Sequence, residues 1–141
     1  MKGSYVLLIS NDSLKNIRIG HMGIVAFKPG YYAYVGSALN NMEKRIRRHV
    51  SPIKKVFWHI DYLLRDTKIV EIFSIECSQK LECEIADILS LFLKPVPKFG
   101  CSDCSCISHL FYHNHHDTIK DTIESALKNT NLPLNHITCI V

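Results

Sequence analysis

Tyr5 and Tyr34 each stand beside a glycine, in Gly3-Ser4-Tyr5 and in Tyr34-Val35-Gly36. Arg45 and His49 are four residues apart, a spacing that puts both on one face of a helix. Glu82 and Glu84 follow in a later amphipathic stretch. The guanidinium of Arg45 presents a fork suited to phosphate oxygens. A carboxylate on the later helix could hold a divalent cation. A glycine at position 36 would let a substrate or a helix end approach the backbone closely.

Charge distribution points the same way. The net charge of +4 is too mild to name a partner. Residues 44–55, however, carry Lys44, Arg45, Arg47, Arg48, Lys54 and Lys55 without an acid among them. Such a stripe fits a phosphate-bearing partner, and equally a solvated helix face.

The chain has six cysteines, three of them close together as Cys101, Cys104 and Cys106, with His109 just behind. Sulfur and imidazole suffice for a tetrahedral zinc site, although the Cys-x-Cys spacing is tighter than in common zinc knuckles. A reactive thiol or buried thiols at a tight turn would give the same string. The opening MKGSYVLLIS has an apolar stretch too short for a signal-peptide core, and no run approaches a membrane span. A cytoplasmic protein with reduced thiols is therefore the expectation, with no membrane partner.

At 141 residues, one domain is expected, large enough to fold without staples. Residues 5–9 read as a buried strand. Residues 21–27 and 31–35 read as a β-hairpin around Pro29-Gly30. Asn40 or Asn41 caps a helix whose buried stripe is Met42, Ile46 and Val50. A short helix near 57–64, a strand at 69–75 and a helix over 80–93 follow. That last helix shows Leu81, Ile85, Ile88, Leu89 and Phe92 on one face. A loop spans 99–109, and a polar helix is expected within 117–129. Trp58 and Tyr62 read as core, Asp61 as structural, and His59 as either structural or cleft-lining.

The segments GSYVLLI, YYAYVGSA, KRIRRH, WHIDYLL, LECEIA and FGCSDCSCISHLFY together resemble the GIY-YIG nuclease superfamily. More closely, residues 3–112 resemble its domain of unknown function 123 group, related to Uri-type endonucleases. Ser4 occupies the middle of the first triad, and the distance from Tyr5 to Tyr34 is longer than that superfamily often shows. The resemblance implies an α/β (α+β) fold, a small central antiparallel sheet flanked by helices. It also implies metal-dependent hydrolysis of phosphodiester bonds in nucleic acid, DNA ahead of RNA, with Mg²⁺ or Mn²⁺.

On that resemblance Tyr5 would be a general base or water-positioning group, and Tyr34 would assist it or orient a phosphate. Arg45 would contact the scissile phosphate, and His49 would contact phosphate or assist the tyrosine. Glu84, preferred over Glu82, would hold the metal. Lys44, Arg48, Lys54 and Lys55 would meet the nucleic-acid backbone. An unperturbed tyrosine has a pKa near ~10, so as a base it would need a metal or cation nearby. Two rival readings are a nucleic-acid-binding module that has lost cleavage and a zinc-stabilised interaction protein built on Cys101, Cys104, Cys106 and His109. The expected organisation is a domain over 1–112 with an extension over 113–141, packed on it or trailing from it.

Overall fold

A computed structural model of the chain describes residues 2–52, 55–101 and 104–139. In chain order the elements are β1 (Gly3–Asn11), β2 (Lys15–Arg18), a 3-10 turn (Gly20–Met22), β3 (Ile24–Phe27) and β4 (Gly30–Ala38). Helices α1 (Met42–Val50) and α2 (His59–Leu64) follow, then β5 (Lys68–Glu76) and α3 (Glu82–Ser90). The chain continues through β6 (Lys94–Pro95), β7 (Leu110–His113), α4 (His116–Lys128) and β8 (Leu134–Thr138). The fold is α+β. Six strands form one antiparallel sheet in the order β6-β7-β4-β1-β5-β8, and β2 pairs with β3 in a separate ribbon.

Strand β1 sits between β4 and β5 and is covered on both faces, which is why its sequence runs apolar without alternation. Successive side chains of a strand point to opposite faces. Val6 and Leu8 therefore pack with Phe73, Ile85, Leu89, Ile119 and Ile123 beneath α3 and α4. Tyr5, Leu7 and Ile9 pack with Phe27, Ile60, Leu63 and Phe99 on the side of α1, α2 and the ribbon. Tyr5 thus projects toward α1, the helix that carries Arg45 and His49.

Three expectations change. Residues 21–35 do not form a hairpin: β3 pairs back onto β2, while β4 joins β1 and β7. Strand β4 buries residues on both faces and needs a central place. In the ribbon only Ile17 and Phe27 are buried. On α1 the buried positions are Met42 and His49, with Ile46 partly packed, whereas Val50 is exposed. The polar residue His49 takes the inner position because Tyr5 offers it a partner there. Phe92 lies beyond the end of α3 and is exposed. Of the two arrangements expected for the extension, the structure has the packed one: α4 buries Ile119, Ile123, Ala126 and Leu127 in the main core, and β8 extends the sheet beside β5. The segment after 112 is thus packed into the same core as the rest.

Asn41 caps α1, its side-chain oxygen accepting from the Lys44 amide at 3.0 Å. This cap starts the helix one residue before Met42 and sets the phase that turns Arg45 and His49 inward. A cap of this kind contributes about 1 kcal/mol. No described helix is long and apolar enough to cross a membrane.

Candidate functional site

The site begins with the β1–β4 register. Tyr5 lies opposite Gly36, and Tyr34 lies opposite Leu7, so the two tyrosines are diagonal neighbours on one face. A Cβ at Gly36 would stand 2.5 Å from both Cζ and Oη of Tyr5. Glycine is therefore required at 36 to let the Tyr5 ring lie across the strand. The approach expected from a substrate or a helix end is made by this ring.

Tyr5 is almost wholly buried, and its hydroxyl is 2.7 Å from Nε2 of the buried His49. The imidazole also sits among the Tyr34 and Trp58 rings, with centroids 6.1 and 5.9 Å away. Burial pushes the Tyr5 phenol well above its ordinary pKa. The neighbouring Tyr34 adds to the rise, and Arg45 only partly offsets it. Burial likewise raises Tyr34, with Glu82 adding to the effect. Both phenols are protonated at neutral pH, so the Tyr5 hydroxyl donates to His49 Nε2 in one imidazole tautomer and accepts from it in the other.

The guanidinium of Arg45 donates to the Ser37 carbonyl oxygen and lies over the Trp58 ring, 4.8 Å from its centroid. Arg48 also lies over Trp58, at 4.4 Å, and makes a two-pronged ion pair of 2.9 Å with each oxygen of the buried Asp61. Asp61 accepts further from the Phe57 and Trp58 amides at the start of α2. Burial alone would raise its carboxyl, but these hydrogen bonds outweigh burial and hold it below the usual range. Asp61 thereby fixes α2, Trp58 and Arg48 together, in keeping with its structural reading. His59 Nδ1 accepts from the Gly100 amide at 3.0 Å and so anchors the chain leading to the cysteines.

These side chains open onto a cleft of about 920 Å³, lined by Tyr5, Tyr34, Lys44, Arg45, Arg48, Trp58, Lys80 and Glu82, among others. Four cations thus surround one carboxylate among the described lining residues. Glu84 is exposed and lines a different depression, with Cys77, Leu81 and Ile88. Of the two glutamates, Glu82 lines the cleft with the tyrosines and Glu84, preferred from the sequence, does not. Two residues along a helix is a turn of about 200°, so one glutamate faces the cleft and the other faces away. Lys55 is exposed, and its carbonyl accepts from Arg48. Lys54 lies outside the described residues.

Residues 4–132 match the profile of a family described as Domain of unknown function DUF123. The chain belongs to the DUF123 family. The match spans β1 through α4 and so includes every cleft residue named above. It also runs past residue 112, where the resemblance in the sequence was expected to end. No curated protein and no solved structure matches the chain.

In this DUF123 chain the sequence reading missed two cleft residues, Lys80 and Trp58. Lys80 stands just before α3 in a stretch without a motif. Trp58 was taken as core, and it is partly that, packing against Tyr5 and its neighbours while its face meets two arginines. The cysteine cluster also differs from expectation. Cys83, Cys104, Cys106 and His109 converge, while the Cys101 thiol turns to the Phe99 carbonyl. Cys83 stands in the LECEIA block, but nothing in that string links it to residues twenty positions later.

Proposed function

We propose that this protein is a metal-dependent endonuclease of the GIY-YIG type, hydrolysing phosphodiester bonds in nucleic acid, with DNA ahead of RNA. The observation that carries the reading is the meeting of Tyr5, Tyr34, Arg45 and Glu82 in one basic cleft, with His49 hydrogen-bonded behind Tyr5. Arg45 supplies fixed positive charge for the phosphate, pre-oriented by Ser37 and Trp58. Tyr34, half-buried at the cleft wall, offers its hydroxyl to a phosphate oxygen or to water. Tyr5 passes a proton from an attacking water toward His49 Nε2. Lys44, Arg48 and Lys80 hold the flanking backbone by charge.

Glu82 fits the role of metal holder, since Mg²⁺ is commonly held by one or two carboxylates together with substrate phosphates. Bound there, Mg²⁺ or Mn²⁺ would polarise the phosphate and stabilise the leaving oxygen. Such a cation would also oppose the upward push on the two phenols, which Glu82 itself strengthens.

A second reading has one observation in its favour. Tyr5 is only 1% exposed, which suits a packing residue in a module that binds nucleic acid without cutting it. Cleavage of a panel of single-stranded, duplex, flapped and branched DNA and of RNA, with Mg²⁺ and Mn²⁺, separates the two. Metal-dependent cutting lost in Arg45→Ala and Glu82→Gln supports the nuclease. Salt-sensitive binding without cutting replaces it with the module.

A further inference from the structure

Cys83, Cys104 and His109 stand in the wall of the same cleft, but the donor set they form with Cys106 belongs to a different kind of metal. The sulfurs of Cys83, Cys104 and Cys106 and a ring nitrogen of His109 all lie within 4.8 Å of one another. Cys104 Sγ and His109 Nε2 are 3.4 Å apart. A zinc tetrahedron has Zn–S bonds of about 2.3 Å and Zn–N bonds of about 2.0–2.1 Å. Its ligand atoms are then roughly 3.5–3.8 Å apart. The Cys104–His109 pair already has this spacing, and the other pairs need contract by no more than about 1 Å to reach it.

We propose that Cys83, Cys104, Cys106 and His109 form a structural zinc site that ties the segment carrying Cys104 to His109 onto the first turn of α3.

Three observations carry the assignment. First, the donors are three soft sulfurs and one imidazole, which select zinc over the hard cations that suit Glu82. Second, four protein ligands close the coordination shell, as in structural rather than catalytic zinc sites. Third, the scaffold around His109 is already set. Its amide donates to Phe99 and its carbonyl accepts from Val35 of β4, both at 2.9 Å, so the imidazole is held from the sheet. His109 is also buried, at 5% exposure. Cys101 neighbours this set, close enough to interact with Cys104, but its sulfur lies outside the group of converging atoms and contacts the Phe99 carbonyl at 3.4 Å, with Gly100 turning the chain at φ +71°.

The site has a mechanical consequence. Cys83 directly follows Glu82, and His109 packs beside Gly100 and Tyr34. Zinc would bind one wall of the cleft, at the start of α3, to the opposite wall formed by β4. It therefore sets how far Glu82 stands from the tyrosines. The site requires no particular reaction in the cleft, and its test reads metal rather than cleavage.

The test uses the full chain, purified reduced and without chelator. Elemental analysis is expected to give one zinc per chain. X-ray absorption at the zinc edge is expected to show three sulfurs and one nitrogen. Cobalt substitution is expected to give the visible bands of a tetrahedral, thiolate-rich site. Cys101→Ser should keep full zinc and the same cobalt spectrum. Cys83→Ser should lower zinc affinity by at least about 10–100-fold, the loss that removal of an outer-shell partner already causes. Zinc well below one per chain after reconstitution would overturn the site. So would a shell of oxygen and nitrogen at the zinc edge. Loss of zinc in Cys101→Ser would overturn the ligand assignment, and this variant keeps the proposal open to refutation even if Cys83→Ser fails to fold.

Discussion

The hydroxyl of Tyr5 and Nε2 of His49 meet at 2.7 Å across 44 residues of chain, joining the central strand to the first helix. Both partners are buried, so neither can turn to water if the other is lost. This bond does two things at once. It supports the packing of α1 on the sheet, and it gives the phenol the hydrogen-bond partner that burial makes necessary.

Tyr5→Phe is therefore expected to lower both stability and activity. Loss of the Tyr5–His49 hydrogen bond should cost about 0.5–1.5 kcal/mol, read by urea unfolding. Cleavage should fall about 10²–10⁴-fold with substrate binding little changed, the usual scale for a lost proton-transfer group. An unchanged unfolding midpoint would show that the bond does not form. Gly36→Ala should reproduce the effect by pushing the Tyr5 ring aside, at about 1–3 kcal/mol for overpacking.

The two glutamates of α3 offer a comparison with its own control. Glu82→Gln should abolish activation by Mg²⁺, whereas Glu84→Gln, on the far side of the helix, should cut as the parent does. Metal titrations of cleavage rate read both. Equal loss in the two variants would remove the carboxylate from the mechanism.

Arg45→Ala should weaken binding to DNA and flatten its salt dependence. One lost phosphate contact lowers the slope of log K against log salt by about 0.9 on duplex DNA. Fluorescence anisotropy over a salt series measures this. Lys55→Ala, exposed and outside the cleft, should change the slope less. The opposite ranking would move the binding face away from the cleft.

Stability should also depend on pH through Glu71, a buried carboxylate on β5, the strand beside the edge strand β8. It accepts from His116 and His136, each at 2.7 Å, with Lys120 at 3.3 Å. Burial would raise Glu71, but the bonds from His116 and His136 outweigh it and hold it below its ordinary value. Its contribution is present above the unfolded carboxylate range, about pH 4.3, and is lost as pH falls through the lower folded value. His116 runs the other way. Its contact with Asp117, and then that with Glu71, raises it, against some opposition from burial. That contribution is full below about pH 6.5 and is lost as pH rises through the raised folded value. Thermal unfolding should therefore peak in the mildly acidic range. Glu71→Gln should flatten the acid side of the profile and, to a smaller extent, the alkaline side, since Asp117 still raises His116; an unaltered profile would remove this cluster from the pH response.

Much of the site was legible because its parts obey local rules. Arg45 and His49 share a helix face by spacing, and Asn41 caps that helix by its chemistry. The unbroken apolar run of β1 marked a strand covered on both faces. Other parts were not legible, for physical reasons. Whether Glu82 or Glu84 faces the cleft depends on the phase of α3, and the buried positions Ile85, Ala86 and Leu89 set that phase by their contacts with the sheet. The partner of β3 depends on which strand buries more on both faces, a competition between distant segments. Cys83 joins Cys104 and Cys106 only because α3 and the later segment pack at the same end of β4.

The sequence by itself determined the residue types and their local faces: two tyrosines beside glycines, a basic helix with Arg45 and His49 on one face, and a run of thiols. Local propensity and periodicity act over a turn or a few strand residues, so they reach that far. The tertiary structure alone decided that Tyr5 meets His49, that Glu82 faces the cations and that Cys83 replaces Cys101 in the cluster. Those contacts join distant parts of the chain, and it is the burial of two apolar layers on one sheet that brings them together.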